Sequence, residues 1–235
     1  TLSQQEVSEG YKEVKDISVI VKFLIHLISN SPNKIPNDKP VYMLAWTTTP
    51  WTLPGNVALA VGEEVEYVVA RTPSESPPPR GGENRSVSPP AGGGVRGGGS
   101  NAEYLILAKE RLPVVFKDKE YAIVQELKGK ELSGLQYEPL FPYYKGTKNA
   151  FRVVAGDFVT TEDGTGIVHI APAFGDDDFK IGKREKIPMV QHVGMDGRFK
   201  LEVTDFAGQE VRPKSDDDRE RLSADIAIVK YLQDH

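Results

Sequence analysis

Two short segments concentrate the residue types that could bind a small polar ligand. The first runs from Trp46 to Asn56, reads WTTTPWTLPGN, and places three threonine hydroxyls beside two tryptophans. Hydroxyl groups next to an aromatic surface suit a pocket that orients a small molecule through a few polar contacts. The same pattern is also typical of a strand end without a function, because threonine favours strands and proline ends them.

The second segment covers residues 164–179 and reads GTGIVHIAPAFGDDDF. It predicts a tight turn, a strand, a second turn and a helix that begins at three aspartates. Aspartates suit the positive end of a helix dipole, but three exceed what a cap needs, so one carboxylate could bind a substrate ammonium group. From the residues alone, His169 is favoured as a buried core histidine over a ligand contact.

The elements that must position these segments are mainly strands. Stretches rich in Val, Ile and Tyr alternate with Gly, Pro, Asn and Asp, a pattern that predicts short strands. They lie at Ser18–Leu27, Val41–Trp46, Val57–Val61, Tyr67–Arg71, Tyr104–Ala108, Tyr121–Leu127, Arg152–Ala155 and Gly166–Ile170. The predicted fold class is α+β and strand-rich, with a β-barrel-like core and flanking helices.

Two helices are predicted after the strands. The first runs from Asp176 to about Lys186, with acids at its start and bases at its end. The second runs from about Asp216 to Leu232, where Ser215 and Asp218 resemble a capping box in acid form. Its predicted apolar stripe consists of Leu222, Ile226 and Val229.

The stretch Thr72–Asn101 breaks the strand pattern. Of its 30 residues, 8 are Gly, 6 are Pro and 5 are Ser. This composition cannot bury enough apolar surface to offset chain entropy, which predicts a disordered loop. Strand-like sequences on both sides, EYVVA and EYLILA, favour an insertion between two strands over a linker between two domains. A single domain over residues 1–235 is therefore predicted.

Composition and charge narrow the classes of function. The 235 residues are 39% hydrophobic and carry a net charge of −5, which argues against a stand-alone nucleic-acid binder that needs a basic face. The sequence contains no cysteine, which excludes disulfides, thiolate metal sites and a cysteine nucleophile. No apolar run reaches the roughly 18 residues that span a bilayer, and we expect a cytoplasmic protein without membrane contact.

Taken together, WTTTPWTLPGN and GTGIVHIAPAFGDDDF resemble the two signature segments of the editing domain of isoleucyl-tRNA synthetases. This domain is the connective polypeptide inserted in the Ile/Val/Leu group of class I synthetases. GYKEVKD, PMVQHVGMDGRF and DFAGQEV extend the resemblance over nearly the whole chain outside residues 72–101. The ATP-handling signatures HIGH and KMSKS do not occur in the sequence. The resemblance implies an editing domain from a longer isoleucine–tRNA ligase, without a synthetic site.

The resemblance also implies a reaction. One methylene separates isoleucine from valine and is worth only about 1–3 kcal/mol in a pocket; isoleucyl-tRNA synthetase, the established example of this limit, hydrolyses the smaller product at a second site. The resemblance implies that Asp178 binds the α-ammonium group of the substrate. It implies that His169 limits the size of the side-chain pocket, with Trp51 and Thr52 as further wall residues. The threonines at 47–49 are assigned to the water, the ester carbonyl or the terminal adenosine.

The predicted catalytic set is Thr48, Thr49 and Asp178. The predicted substrate-binding set comes entirely from the two signature segments: Thr47, Thr48, Thr49, Trp51, Thr52, Asn56, His169, Ala171, Phe174 and Asp178. No metal or cofactor is expected for editing, whereas the full-length enzyme would use ATP and Mg²⁺. No nucleophile lies beside a base in the motifs, which favours direct attack of water on the ester.

The implied partners are the 3′ end of isoleucine tRNA charged with valine, valyl-adenylate as a second candidate substrate, and the remaining synthetase domains. Three alternatives stay open. The chain could be a non-catalytic tRNA-docking module, or a metal-dependent hydrolase that uses His169, Asp178 and His192. It could also be the editing domain of a valyl or leucyl synthetase.

Overall fold

The computed structural model describes residues 16–26, 39–73, 102–215 and 217–234. Nine strands occur within these ranges: β1 (Val19–His26), β2 (Val41–Thr47), β3 (Ala58–Val61), β4 (Glu66–Pro73), β5 (Ala102–Ala108), β6 (Ala122–Lys128), β7 (Gln136–Tyr137), β8 (Arg152–Ala155) and β9 (Ile167–Ile170). The described helices are α1 (Leu112–Phe116), α2 (Gly129–Leu132), α3 (Asp176–Arg184), α4 (Asp218–Arg221) and α5 (Ser223–Asp234). Two 3₁₀ turns cover Pro50–Gly55 and Lys109–Arg111. The strand-rich prediction is confirmed.

Six of the strands close into a barrel. They follow the order β1–β7–β8–β3–β9–β2, and β2 pairs back onto β1 through an antiparallel ladder. Closure leaves no unpaired edge in this part of the sheet. The predicted β-barrel-like core is confirmed by this ring, although β7 is a strand that the sequence pattern missed because it spans two residues.

The strand β2 is the branch point of the sheet. Its first half, Val41–Met43, pairs in parallel with β5, whereas Trp46 near its end pairs with Val168 of β9. Beyond β5 the sheet continues through β4 to β6 by antiparallel pairing. This arrangement brings the end of the first signature segment beside the strand of the second, which the sequence alone does not show.

Side chains that alternate along the strands fill the barrel. Phe23, Met43, Leu59, Val153 and Ile167 all belong to one hydrophobic cluster and are at most 2% exposed. Burial of each such side chain contributes about 1.5–3 kcal/mol relative to exposure. This packed interior fixes the ends of the strands and therefore the positions of the polar residues that follow them.

The prediction of the second helix is wrong in its continuity and its cap and right only in part for its buried face, where Leu222 is buried. It is divided into α4 and α5 at Leu222, where the backbone φ and ψ are −97° and 11°. The cap is Asp217, whose carboxylate accepts the N–H groups of Arg219 and Glu220. The division shifts the inward face of α5 to Ala224, Asp225 and Ile228, which are fully buried. Ile226 of the predicted apolar stripe is 40% exposed.

The long insertion joins two paired strands. Thr72 and Pro73 belong to β4 and lie opposite Glu103 and Ala102 of β5. Residues 74–101, for which disorder is predicted, lie outside the described residues. None of the described helices is long and apolar enough to span a membrane.

Candidate functional site

A pocket of about 370 Å³ lies where β2 and β9 end side by side. Residues from both signature segments and from the loop before β9 line it: Trp46, Thr47, Thr48, Thr49, Thr52, Phe158, Thr160, Asp163, Gly164, Thr165, Gly166, Ile167, Val168, His169, Ala171, Phe174, Gly175 and Asp178. Another cleft, of about 430 Å³, lies between β1, β5 and α1. It lies away from both segments, and its Lys22 and Glu103 form an ion pair with each other.

Eight of the ten predicted binding residues line the first pocket, and two do not. Asn56 faces the barrel, where its amide donates to the carbonyl of Ala58 and accepts the hydroxyl of Tyr137 at 2.7 Å. Both polar groups of the Asn56 side chain therefore have partners within the barrel, and we no longer include Asn56 among the predicted substrate-binding residues. Trp51 lies behind the pocket, with its ring in edge contact with Phe174 at 5.3 Å between centroids.

The threonine run forms a turn held by its own hydroxyls. Oγ1 of the buried Thr47 accepts the N–H of Thr49 at 3.1 Å. Pro50 begins the 3₁₀ turn, and Oγ1 of Thr52 donates to the carbonyl of Thr49 at 2.8 Å. Thr48 is exposed, and no hydrogen bond to its hydroxyl is found within the described part of the chain. Its hydroxyl is therefore available to a ligand.

His169 forms an uncharged wall of the pocket. Its Nε2 lies 3.1 Å from Oγ1 of Thr52. Because that hydroxyl gives its proton to the carbonyl of Thr49, it accepts from Nε2–H, which identifies the neutral imidazole with its proton on Nε2. Burial, with a smaller effect of His192, lowers the pKa of His169 to about 4. A neutral ring suits an apolar ligand group and repels no cation.

Asp178 is the carboxylate of the acidic run that turns towards the pocket. Its Oδ2 accepts the N–H of Ala171 at 2.8 Å, which ties α3 to the end of β9. Burial raises the pKa of Asp178, the bond from Ala171 lowers it, and the charge of Asp177 raises it further. Asp176 and Asp177 are exposed and pair with Lys180. Gly175 occupies the N-cap position, so these two acids complement the helix dipole without capping it.

The loop before β9 supplies three pocket residues that lie outside both signature segments: Phe158, Thr160 and Asp163. The guanidinium of Arg111 holds this loop by donating to the carbonyls of Glu162 and Gly164. Gly164 has φ +65°, and a Cβ there would lie 2.9 Å from the Trp46 ring. The polar run TTEDGT at 160–165 is the sequence signal that could have found this wall.

The structure does not bring together the three residues of the metal-dependent alternative. Among the described residues, no group of three or more His, Asp or Glu side chains could hold a metal ion. His192 is not among the residues that line the pocket, and its Nε2 donates to the carbonyl of Trp51 at 2.9 Å. Of the three residues in that alternative, His169 and Asp178 line the pocket.

The buried histidines predict a loss of stability in acid. Burial lowers the pKa of both His169 and His192 from 6.5 to about 4. Between these pH values the unfolded chain binds more protons, so stability is fully present above pH 6.5 and falls as pH approaches 4. We expect His192→Gln to reduce the loss of unfolding free energy between about pH 7 and pH 4.5 by about 2 kcal/mol.

Urea unfolding at the two pH values measures this difference. The half-buried Asp178 and the buried Asp225, whose pKa values are raised, act in the opposite direction, but they are the same in both proteins and cancel in the comparison. An equal pH dependence of the two proteins would contradict the assignment of a neutral, buried His192.

The sequence matches isoleucine–tRNA ligases along its length. It is 39% identical to that of Clostridium tetani over 233 residues, which is 99% of this chain and 18% of the relative. It is 41% identical to that of Bdellovibrio bacteriovorus over 221 residues, which is 92% of this chain and 18% of the relative. The chain is therefore homologous to one segment of isoleucine–tRNA ligases. It spans about 18% of the length of these curated relatives.

The ligase of Thermoplasma volcanium is 39% identical over 235 residues, again 18% of its length. The fold is similar to the editing domain of the cytosolic leucyl-tRNA synthetase of P. knowlesi, at 15% identity and a TM-score of 0.48 over 72% of this chain and 64% of that chain. The corresponding P. falciparum domain is 13% identical, with a TM-score of 0.43 over 63% of this chain and 48% of that chain. No family model matches the chain.

Proposed function

We propose that this chain is the editing domain of an isoleucine–tRNA ligase and that it hydrolyses valine attached in error to isoleucine tRNA. The observation that carries the proposal is the convergence of both signature segments on one pocket, where Asp178, the neutral His169 and the threonine turn line the same space. The isoleucine–tRNA ligase relatives favour this specificity over that of the valyl or leucyl enzymes.

Asp178 binds the α-ammonium group of the aminoacyl ester. It is the carboxylate of the acidic run that lines the pocket, and within the described residues only its Oδ2 accepts a hydrogen bond. Burial disfavours its charged form, and a substrate ammonium offsets this cost with a charge-assisted hydrogen bond. The same contact distinguishes an amino acid from other esters.

The side chain of the substrate packs against His169, Ala171 and Phe174. The ring of His169 is fixed by Thr52, so its position limits the depth of the pocket. An extra methylene on isoleucine then meets the ring. Exclusion of this kind is worth about 1–3 kcal/mol, and it multiplies the selection made at a separate synthetic site.

Water attacks the ester directly, held by the hydroxyls of Thr48 and Thr49. Thr52 beside His169 is the one pairing in the pocket that resembles a nucleophile with its base. Two observations disfavour it: Thr52 donates its proton to a backbone carbonyl, and the pKa of His169 of about 4 makes the imidazole a weak base. Positioned water without a covalent intermediate therefore fits the site better.

The proposed partners are the 3′ end of isoleucine tRNA charged with valine and the remaining domains of the ligase, with valyl-adenylate as a second candidate substrate. We propose that editing requires neither a metal ion nor a cofactor, whereas ATP and Mg²⁺ serve the synthetic site of the full-length enzyme. The proposal extends to the cytoplasm as the place where charged tRNA is used.

Deacylation by the purified chain tests this function. We expect release of valine from isoleucine tRNA to exceed release of isoleucine by about 10-fold or more, with no change in EDTA. Valine and leucine tRNAs charged with near-cognate amino acids serve as controls. Tight tRNA binding without hydrolysis would instead indicate a docking module, and loss of activity in EDTA would indicate a metal-dependent hydrolase.

A further inference from the structure

A buried carboxylate outside the pocket is not explained by the proposed chemistry. Asp225 on α5 is 0% exposed. Burial of a carboxylate is unfavourable unless hydrogen bonds and charges compensate it. Its partners therefore indicate what the fold gains from keeping it.

Both oxygens of Asp225 have a partner. Oδ1 accepts the backbone N–H of Trp51 at 2.9 Å, across 174 residues of sequence. Oδ2 lies 3.0 Å from Nη1 of Arg212 and forms an ion pair that lacks the alignment of a hydrogen bond. Nη1 of Arg212 also lies 3.2 Å from Oδ1 of Asp16. Asp225 thus connects the charged pair Arg212 and Asp16 to the backbone of Trp51.

The N–H that Asp225 accepts belongs to the threonine turn. Trp51 is the second residue of the 3₁₀ turn Pro50–Gly55, where an N–H has no acceptor within the helix. Thr49 occupies the N-cap position and makes no side-chain cap bond. Asp225 supplies the missing acceptor, and its negative charge suits the N-terminal end of the turn.

The other end of the same peptide segment is also held. The carbonyl of Trp51 accepts Nε2–H of His192 at 2.9 Å, so side chains from two separate parts of the chain fix Trp51 from behind. The next residue, Thr52, carries the hydroxyl that orients His169. A shift of the Trp51 backbone therefore changes the position of Thr52 and, through it, of the pocket wall.

We infer that Asp225, supported by Arg212, is a positioning residue: it caps the 3₁₀ turn from outside and sets the Thr52–His169 pair that lines the pocket. This inference rests on the proposed function for its effect on catalysis. Its structural part, the dependence of the His169 environment on Asp225, holds independently of any substrate.

Asp225→Ala and Asp225→Asn test the inference in the whole chain. The alanine variant should lower the preference for valyl-tRNA over isoleucyl-tRNA by about 5-fold, because the His169 ring that Asp225 positions through Thr52 limits the size of the substrate side chain. The asparagine variant keeps an oxygen acceptor and should retain this preference within about twofold. Asp218→Ala, which removes an exposed ion pair with Arg221 on the adjacent helix, is the matched control and should behave as wild type.

Nuclear magnetic resonance of the free protein separates this inference from the proposed function. We expect the amide proton of Trp51 and the ring protons of His169 to shift together in Asp225→Ala and to stay near wild type in Asp218→Ala. If the wild-type chain shows no deacylation, the proposed function fails, and these shifts still decide the positioning role. Unchanged His169 signals in Asp225→Ala would overturn it. If that variant does not fold, a folded Asp225→Asn whose preference for valyl-tRNA is reduced by about 5-fold would also overturn it, because this variant retains the acceptor.

Discussion

Replacement of Asp178 by asparagine should lower kcat/KM for deacylation of valyl-tRNA by about 10- to 150-fold. Asparagine can still accept the N–H of Ala171, so the connection between α3 and β9 is preserved. It cannot offer a charge to the substrate ammonium, and hydrogen bonds to charged groups contribute about 1.5–3 kcal/mol. Single-turnover deacylation with purified valyl-tRNA measures the loss.

Asp177→Asn is the matched control, because Asp177 is adjacent in sequence but exposed and paired with Lys180. It should retain activity within about twofold, as expected for a surface ion pair. N-acetyl-valyl-tRNA, which lacks the ammonium charge, provides a second control. The wild type should prefer valyl-tRNA over the acetylated form, and Asp178→Asn should not. Near-normal activity of Asp178→Asn would remove Asp178 from the site.

The pH dependence of deacylation tests the role of Asp178 independently. Because burial raises the pKa of Asp178 above its ordinary value of 3.8, the carboxylate protonates at a higher pH than an exposed aspartate. Deacylation should therefore decrease as pH falls through this raised pKa, and the decrease should be absent from the residual activity of Asp178→Asn.

Local signals in the sequence were sufficient for most strands and for both signature segments. Short apolar runs that contain valine, such as VALAV at 57–61 and RVVA at 152–155, predict strands because such side chains fit a pleated, buried surface. The order of strands is not local. The branch of β2, which pairs with β5 at Val41 and with β9 at Trp46, depends on pairings with partners more than 60 residues away.

The candidate site shows the same division. The sequence indicates that Trp51 and Asn56 lie in a proline-rich turn after a strand, but it does not indicate which side chains of that turn line the pocket. The 3₁₀ geometry directs Thr52 into the pocket and Asn56 towards Tyr137 of the barrel. Asp225 lies in a helix whose predicted apolar stripe did not include it, because a buried carboxylate is recognised by its partners and not by helical periodicity.

Replacement of His169 by alanine should allow the pocket to hydrolyse isoleucyl-tRNA. The imidazole is buried and lines the pocket, and its removal opens more space than the single methylene that distinguishes isoleucine from valine. The preference for valine, expected at about 10- to 200-fold in the wild type, should fall to near unity. Because the ring is neutral and a weak base, hydrolysis of valyl-tRNA should fall much less than in Asp178→Asn.

Thr52→Val distinguishes a fixed wall from a merely bulky one. Valine keeps the shape of threonine but removes the Oγ1 acceptor of Nε2–H. The ring of His169 therefore still fills its space, but no hydrogen bond to Thr52 fixes its orientation. We expect a partial loss of selectivity, between wild type and His169→Ala, because a mobile ring still occupies volume. If His169→Ala keeps the preference for valine, the size limit lies elsewhere in the pocket. If His169→Ala loses this preference and Thr52→Val keeps it, the limit is set by the volume of the ring and not by its hydrogen bond.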